Sequence, residues 1–163
     1  MSFFNRLVGG PLNGHHHLLD SGMEWGQDLY LLQDWMAGHP EASPIRVVNF
    51  SPLEPEDLGI ETAGRPPSGF RSENSQVNES ELGPLPGWYA VGVTLLHSDS
   101  RPDRENLQRN GMPICGYFRF FKPVDRVGYS IYVYQLTAQD VAPVRDRLGL
   151  PPLPEAPEQG VRP

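Results

Sequence analysis

The sequence predicts an α/β domain: a small central mixed sheet of about three to five strands flanked by helices, with long loops and a disordered C-terminal tail. Three observations predict it. Short runs rich in β-branched and aromatic residues recur at 45–50, 87–97 and 128–136. A stretch of helical period precedes the first run, and a second helix-start signal follows the last. Between these elements the chain is rich in turn-formers, with 17 glycines and 18 prolines in 163 residues.

The elements follow in order. Trp25, Leu29, Leu32 and Met36 recur at i, i+4, i+7 and i+11, which is one helix face. Ser21 followed by Glu24 forms a capping box ahead of them, and Gly38 then Pro40 close the helix. Ile45 to Phe50 reads as a strand between Pro44 and Pro52, and a helical turn is expected after Pro55. Residues 61–86 hold few hydrophobes and read as one long loop. In Gly87 to His97 the apolar residues do not alternate with polar ones, and the segment reads as a strand buried on both faces. After the aromatic segment "GYFRFFKPV", Gly128 to Leu136 reads as a central strand, with Ile131 and Val133 on one face and Tyr132, Tyr134 and Leu136 on the other. Thr137 with Asp140 marks a helix start, although Pro143 falls where the helix would continue. The whole divides into a single soluble domain over 1–148 and a Pro-rich tail over 149–163.

Composition narrows the function. The net charge of −7 and the lack of a basic stripe argue against nucleic acid as a partner. The single cysteine, Cys115, excludes an internal disulfide, and its apolar setting "MPICGYF" favours a buried, inert thiol. No stretch reaches the roughly 18 apolar residues of a membrane span. No phosphate-cradling glycine loop or nucleophile elbow is present, so no catalytic residue and no cofactor are assigned.

The segment "NGHHHLLDSGMEWGQDL" (13–29) concentrates the candidates for a site. In an extended chain only His15 and His17 of the histidine triplet point the same way, so a metal there would need Asp20 or a distant ligand. Glu24 and Asp28 would share one helix face, where paired carboxylates could hold a cation or move protons. Acids at a helix start also have a plain structural reason, the helix dipole. Gly26 inside a helix costs about 1 kcal/mol relative to alanine, a cost accepted where another backbone or a ligand comes close. Asp20, Trp25, Gln27 and Asp28 are therefore the candidate ligand-binding residues. The aromatic residues of the strands, Trp88 and Tyr129 among them, are read mainly as core, with a sugar-stacking platform as the alternative.

The stretch "FNRLVGGPLNGHHHLLDSGMEWGQDLYLLQDWM" resembles a segment of large polytopic membrane glycosyltransferases, the superfamily of the protein mannosyltransferases and the lipid A aminoarabinose transferases. In many bacterial members the last membrane span is followed by a pattern like "FNELAGGPxNGxxxLxDSNxDWGQDLxxLxxW". "GWYAVGVTLLHS" and "FKPVDRVGYSIYVYQLT" are similar to later blocks of the same proteins, so the resemblance runs from Phe4 to Thr137. Asp20, Ser21, Trp25, Gly26, Gln27 and Asp28 match the first pattern, whereas Gly22 and Glu24 depart from its Asn and Asp. The resemblance is to the soluble C-terminal domain, not to the membrane core that transfers sugar. It implies a non-catalytic extracytoplasmic, or periplasmic, domain that aids binding of a glycan or lipid-linked acceptor, joined to the membrane through spans upstream of this sequence. Two other readings stand beside it: a stand-alone soluble interaction module, and a small metal-dependent enzyme using His15, His17 and Asp20.

Overall fold

The computed structural model describes residues 26–69, 78–97 and 115–153. It shows an α/β fold with a four-stranded mixed sheet. In chain order the elements are α1 (Gln27–Gly38), β1 (Arg46–Val48), β2 (Gly87–Gly92), α2 (Val93–His97), β3 (Asp125–Val127), β4 (Ile131–Leu136) and α3 (Ala138–Arg147). Turns of 3-10 helix lie at Pro40–Ala42, Pro55–Leu58, Glu79–Glu81 and Gly116–Phe120. The sheet order is β1-β2-β4-β3. β1 runs parallel to β2, while β2 and β3 both run antiparallel to β4.

Alternation along the strands divides the core in two. Val48, Tyr89, Val91, Tyr134 and Leu136 pack with Leu95 and Leu96 of α2, Cys115, Phe118 and Val141 of α3. On the other face Val47, Ala90, Val127, Ile131 and Val133 pack with Leu29 and Leu32 of α1 and with Ile45 and Ile60. Leu29 and Leu32 are fully buried, each stabilising the fold by about 1.5–3 kcal/mol. One face of the sheet therefore carries α1 and the other carries α2 and α3.

β4 is one of the two inner strands, as its two apolar faces imply, but it starts at Ile131. Gly128, Tyr129 and Ser130 form the turn from β3, with Gly128 in the left-handed conformation at φ 59°. β3 carried no sequence signal, because two of its three residues are charged and pairing with β4 makes it a strand. The 87–97 run is a strand only to Gly92; the rest is α2. A fully apolar run does not distinguish buried strand from buried helix. At this junction the Val93 amide donates to the Ser130 carbonyl at 2.6 Å, off the ladder and into the β3–β4 turn.

The two long helices differ from expectation at their starts and interiors. The described part of α1 begins at Gln27, with Gly26 outside it as a left-handed N-cap residue (φ 86°). A left-handed residue interrupts helical geometry, so the helix that carries Asp28 does not run unbroken through Gly26. Ser21 and Glu24, with their expected capping box, lie outside the described residues. In α3 the Thr137–Asp140 capping box forms as its spacing implies, and the helix continues through Pro143. Pro143 and Gln139, whose carbonyl loses its partner, are both on the exposed side, where water replaces the missing bond.

Candidate functional site

Asp28 lies in the first turn of α1 and is 4% exposed. Its Oδ2 accepts three hydrogen bonds, from the amides of Tyr129 and Ser130, both at 2.7 Å, and from the Ser130 hydroxyl at 2.8 Å. A Cβ on Gly128 would run into the same carboxylate. The close fit needs both the left-handed turn and the absence of a side chain there. Asp28 thus ties the start of α1 to the turn before β4, and the structure gives this acid a structural role.

Gly26 also has its reason. A side chain there would strike the Ser51 hydroxyl, and the positive φ would strain any other residue. The close approach expected of this glycine is real, but it is to the loop after β1 and is made outside the helix. Gln27 is the exposed first residue of α1. Asp20, Trp25, His15 and His17 lie outside the described residues. Among the described residues, no group of three or more His, Cys, Asp or Glu side chains could hold a metal ion.

The loop that Gly26 touches forms one wall of a cleft of about 240 Å³. The cleft opens beyond the carboxyl end of β1, where the strand runs into Asn49 and Ser51. Its other walls are the 3-10 turn at Pro55–Leu58 and the segment 62–65, whose backbone docks on β1 through Ala63 to Ile45 (2.8 Å) and Val47 to Gly64 (3.1 Å). In α/β sheets this end of a parallel strand is where ligands commonly bind.

The lining is polar and mixed in charge. Glu54 pairs with Arg65 at 3.6 Å, both side chains 57% exposed. The Thr62 hydroxyl donates to Glu56 and accepts from the Gly64 amide at 3.3 Å. That hydroxyl is the main reason the Glu56 carboxyl is held below its usual range. The Ser51 hydroxyl accepts from the Leu53 amide at 3.0 Å, which leaves its proton free to donate. Asn49 Nδ2 is shielded from solvent and has no hydrogen-bond partner among the described residues. An unpaired buried donor of this kind costs about 1–3 kcal/mol.

None of Asn49, Ser51, Glu54, Glu56, Thr62 and Arg65 is singled out by the sequence. The cleft is assembled from a strand end and two loops, with no motif spacing. The available signal was positional: polar residues directly after a strand of an α/β domain.

The aromatic residues resolve mostly into core. Tyr89, Tyr117, Phe118 and Tyr134 are buried, and burial raises their tyrosine hydroxyl pKa values. Burial likewise pushes the Cys115 thiol up to about 12. Trp35 stacks on His39 with ring centres 4.0 Å apart and donates its indole N–H to Asp125 at 2.7 Å. Tyr129 remains 48% exposed beside the Asp28 contact.

Comparison with family models, with curated proteins and with solved structures finds no match for this chain. Among the described residues no helix is long and apolar enough to cross a membrane.

Proposed function

We propose that this chain is a non-catalytic C-terminal domain of a polytopic glycosyltransferase-like membrane protein, placed on the extracytoplasmic side and helping to bind a glycan or lipid-linked acceptor. One observation carries the reading. The three sequence blocks that bear the resemblance meet one another in the fold. Asp28, from the first, holds Tyr129 and Ser130 of the third. β2, from the second, pairs with β4 of the third from Gly87–Leu136 to Gly92–Ile131. Residues far apart in sequence thus act as one folding unit, which favours a shared domain over three chance similarities. The Asp28 carboxylate faces backbone amides, which suits scaffolding better than catalysis.

The gene and its endogenous product test this. The reading expects an open frame continuing upstream of Met1 into several apolar spans, and a native protein recovered with membranes. A stop codon just ahead of Met1, with a native product of 18.2 kDa in the soluble fraction, would overturn it.

A further inference from the structure

We infer that the cleft beyond β1 is a binding site for a small, neutral, polyhydroxylated ligand, held through adjacent hydroxyls by Glu56, Ser51 and the Glu54–Arg65 pair. The inference rests on the binding-domain reading above and names the ligand class and the place.

Size comes first. About 240 Å³ is below the roughly 300–1,000 Å³ of sites for drug-sized ligands, so the occupant is on the scale of a single ring. Charge comes next. Glu54 is matched by Arg65, which leaves the Glu56 carboxylate as the net charge of the lining. A phosphate or carboxylate ligand would meet two carboxylates. A metal cation would meet the guanidinium of Arg65, and the described residues bring no group of three or more His, Cys, Asp or Glu side chains together to hold it.

A hydroxyl group is both donor and acceptor, and the walls offer both. Glu56 keeps acceptor capacity beyond the bond from Thr62. Ser51 has a proton to give, and Arg65 has donors beyond those facing Glu54. Neighbouring hydroxyls on a ring can give a proton to a carboxylate and take one from the adjacent guanidinium. Asn49 lies at the strand end beneath these groups and completes the polar lining of the cleft.

The test is an NMR titration of the isotope-labelled chain with free mannose, glucose and myo-inositol, and in separate arms with calcium chloride and sodium phosphate. Saturable shifts at the amides of Asn49, Ser51, Glu56, Thr62 and Arg65, with a millimolar Kd for at least one of the three polyols, are expected. Glu56→Gln keeps an acceptor for Thr62 and removes the charge, and should weaken binding on the order of tenfold. Arg65→Ala, at an exposed side chain, should weaken it severalfold with the fold intact. The inference fails if no polyol shifts these amides, if calcium or phosphate saturates the cleft more tightly than any polyol, or if Glu56→Gln leaves the Kd unchanged. Polyol binding in a chain whose gene encodes no upstream spans would remove the membrane-protein reading and keep the site. A membrane-spanning gene product with a silent cleft would do the reverse.

Discussion

Two buried ions hold this domain together, and they are mirror images. On one side of the sheet the carboxylate of Asp28 is satisfied wholly by donors: two amides and a hydroxyl. On the other the guanidinium of Arg145, 1% exposed, is satisfied wholly by acceptors. Its Nη1 donates to the carbonyls of Leu82 and Pro84, its Nη2 to those of Ser80 and Pro151, and its Nε again to Pro151 at 3.0 Å. Neither group is in an ion pair with a described residue; the charge of each is spread over oriented backbone dipoles. Burial lowers the Arg145 pKa, but an arginine stays protonated at any working pH.

The difference lies in what each ion fastens. Asp28 joins two regular elements, α1 and the β3–β4 turn. Arg145 joins segments outside the sheet: the stretch 80–84, which leaves the 3-10 turn at Glu79–Glu81, and residues just beyond α3. Leu150 lies so close to Gly83 that a side chain there would strike it. A buried charge satisfied by backbone can thus order segments that lie outside the sheet and the long helices.

Arg145→Ala should have the largest effect. It removes a large fully buried side chain and strips four carbonyls of their donor, for a loss of about 3–5 kcal/mol in urea unfolding. Arg145→Lys keeps the charge without the planar fork and should recover less than half of that loss. Full recovery would mean that charge alone matters there, which breaks the comparison.

Asp28→Ala comes second, at about 3 kcal/mol, because it leaves two amides and a hydroxyl unsatisfied around Ser130. Hydrogen exchange should locate the damage: Tyr129 and Ser130 amides lose protection first in this variant, whereas the 80–84 loop loses it first in Arg145→Ala. Identical exchange patterns would mean that the two ions do not fasten separate regions.

Gly128→Ala should cost about 1–2 kcal/mol from its positive φ alone, with more from collision with Asp28. Combined with Asp28→Ala the collision disappears, so the double variant should be more stable than the sum of the two losses implies.

The smallest effect concerns an exposed acid. Asp140 accepts from the Thr137 amide at 2.8 Å and from its hydroxyl at 2.6 Å, and the hydroxyl is the main cause of its lowered pKa. The folded value lies below the unfolded one of about 3.9, so its stabilisation is present above pH 4 and is lost as pH falls through the folded pKa. Asp140→Asn should therefore be less stable than wild type near neutrality and converge with it in acid. A constant gap across that range would remove the electrostatic part of the cap.

How much of this was legible beforehand follows the range of the interactions. The Thr137–Asp140 cap is local, three residues apart, and was read directly. So were the apolar β2 and β4 cores and the Leu29–Leu32 face of α1. Asp28 was marked as an acid needing an explanation, but its partners lie over a hundred residues away and two of the three are backbone amides. Arg145 was not marked at all, since an arginine near the end of a helix reads as solvated and backbone carbonyls leave no trace in sequence. The cleft was hidden for a different reason. Its polar residues come from a strand end and two loops that only the folded sheet brings together.

The span between Asp28 and its turn has a consequence during synthesis. The acid and Tyr129 are separated by 101 residues. At elongation rates of about 5–20 residues per second, α1 leaves the ribosome roughly 5–20 s before the amides that anchor it. Throughout that interval Leu29 and Leu32 lack the strand face formed by Ile131 and Val133. The nascent chain thus holds α1 without the β4 part of its apolar partner surface until that strand emerges and the carboxylate closes on its turn.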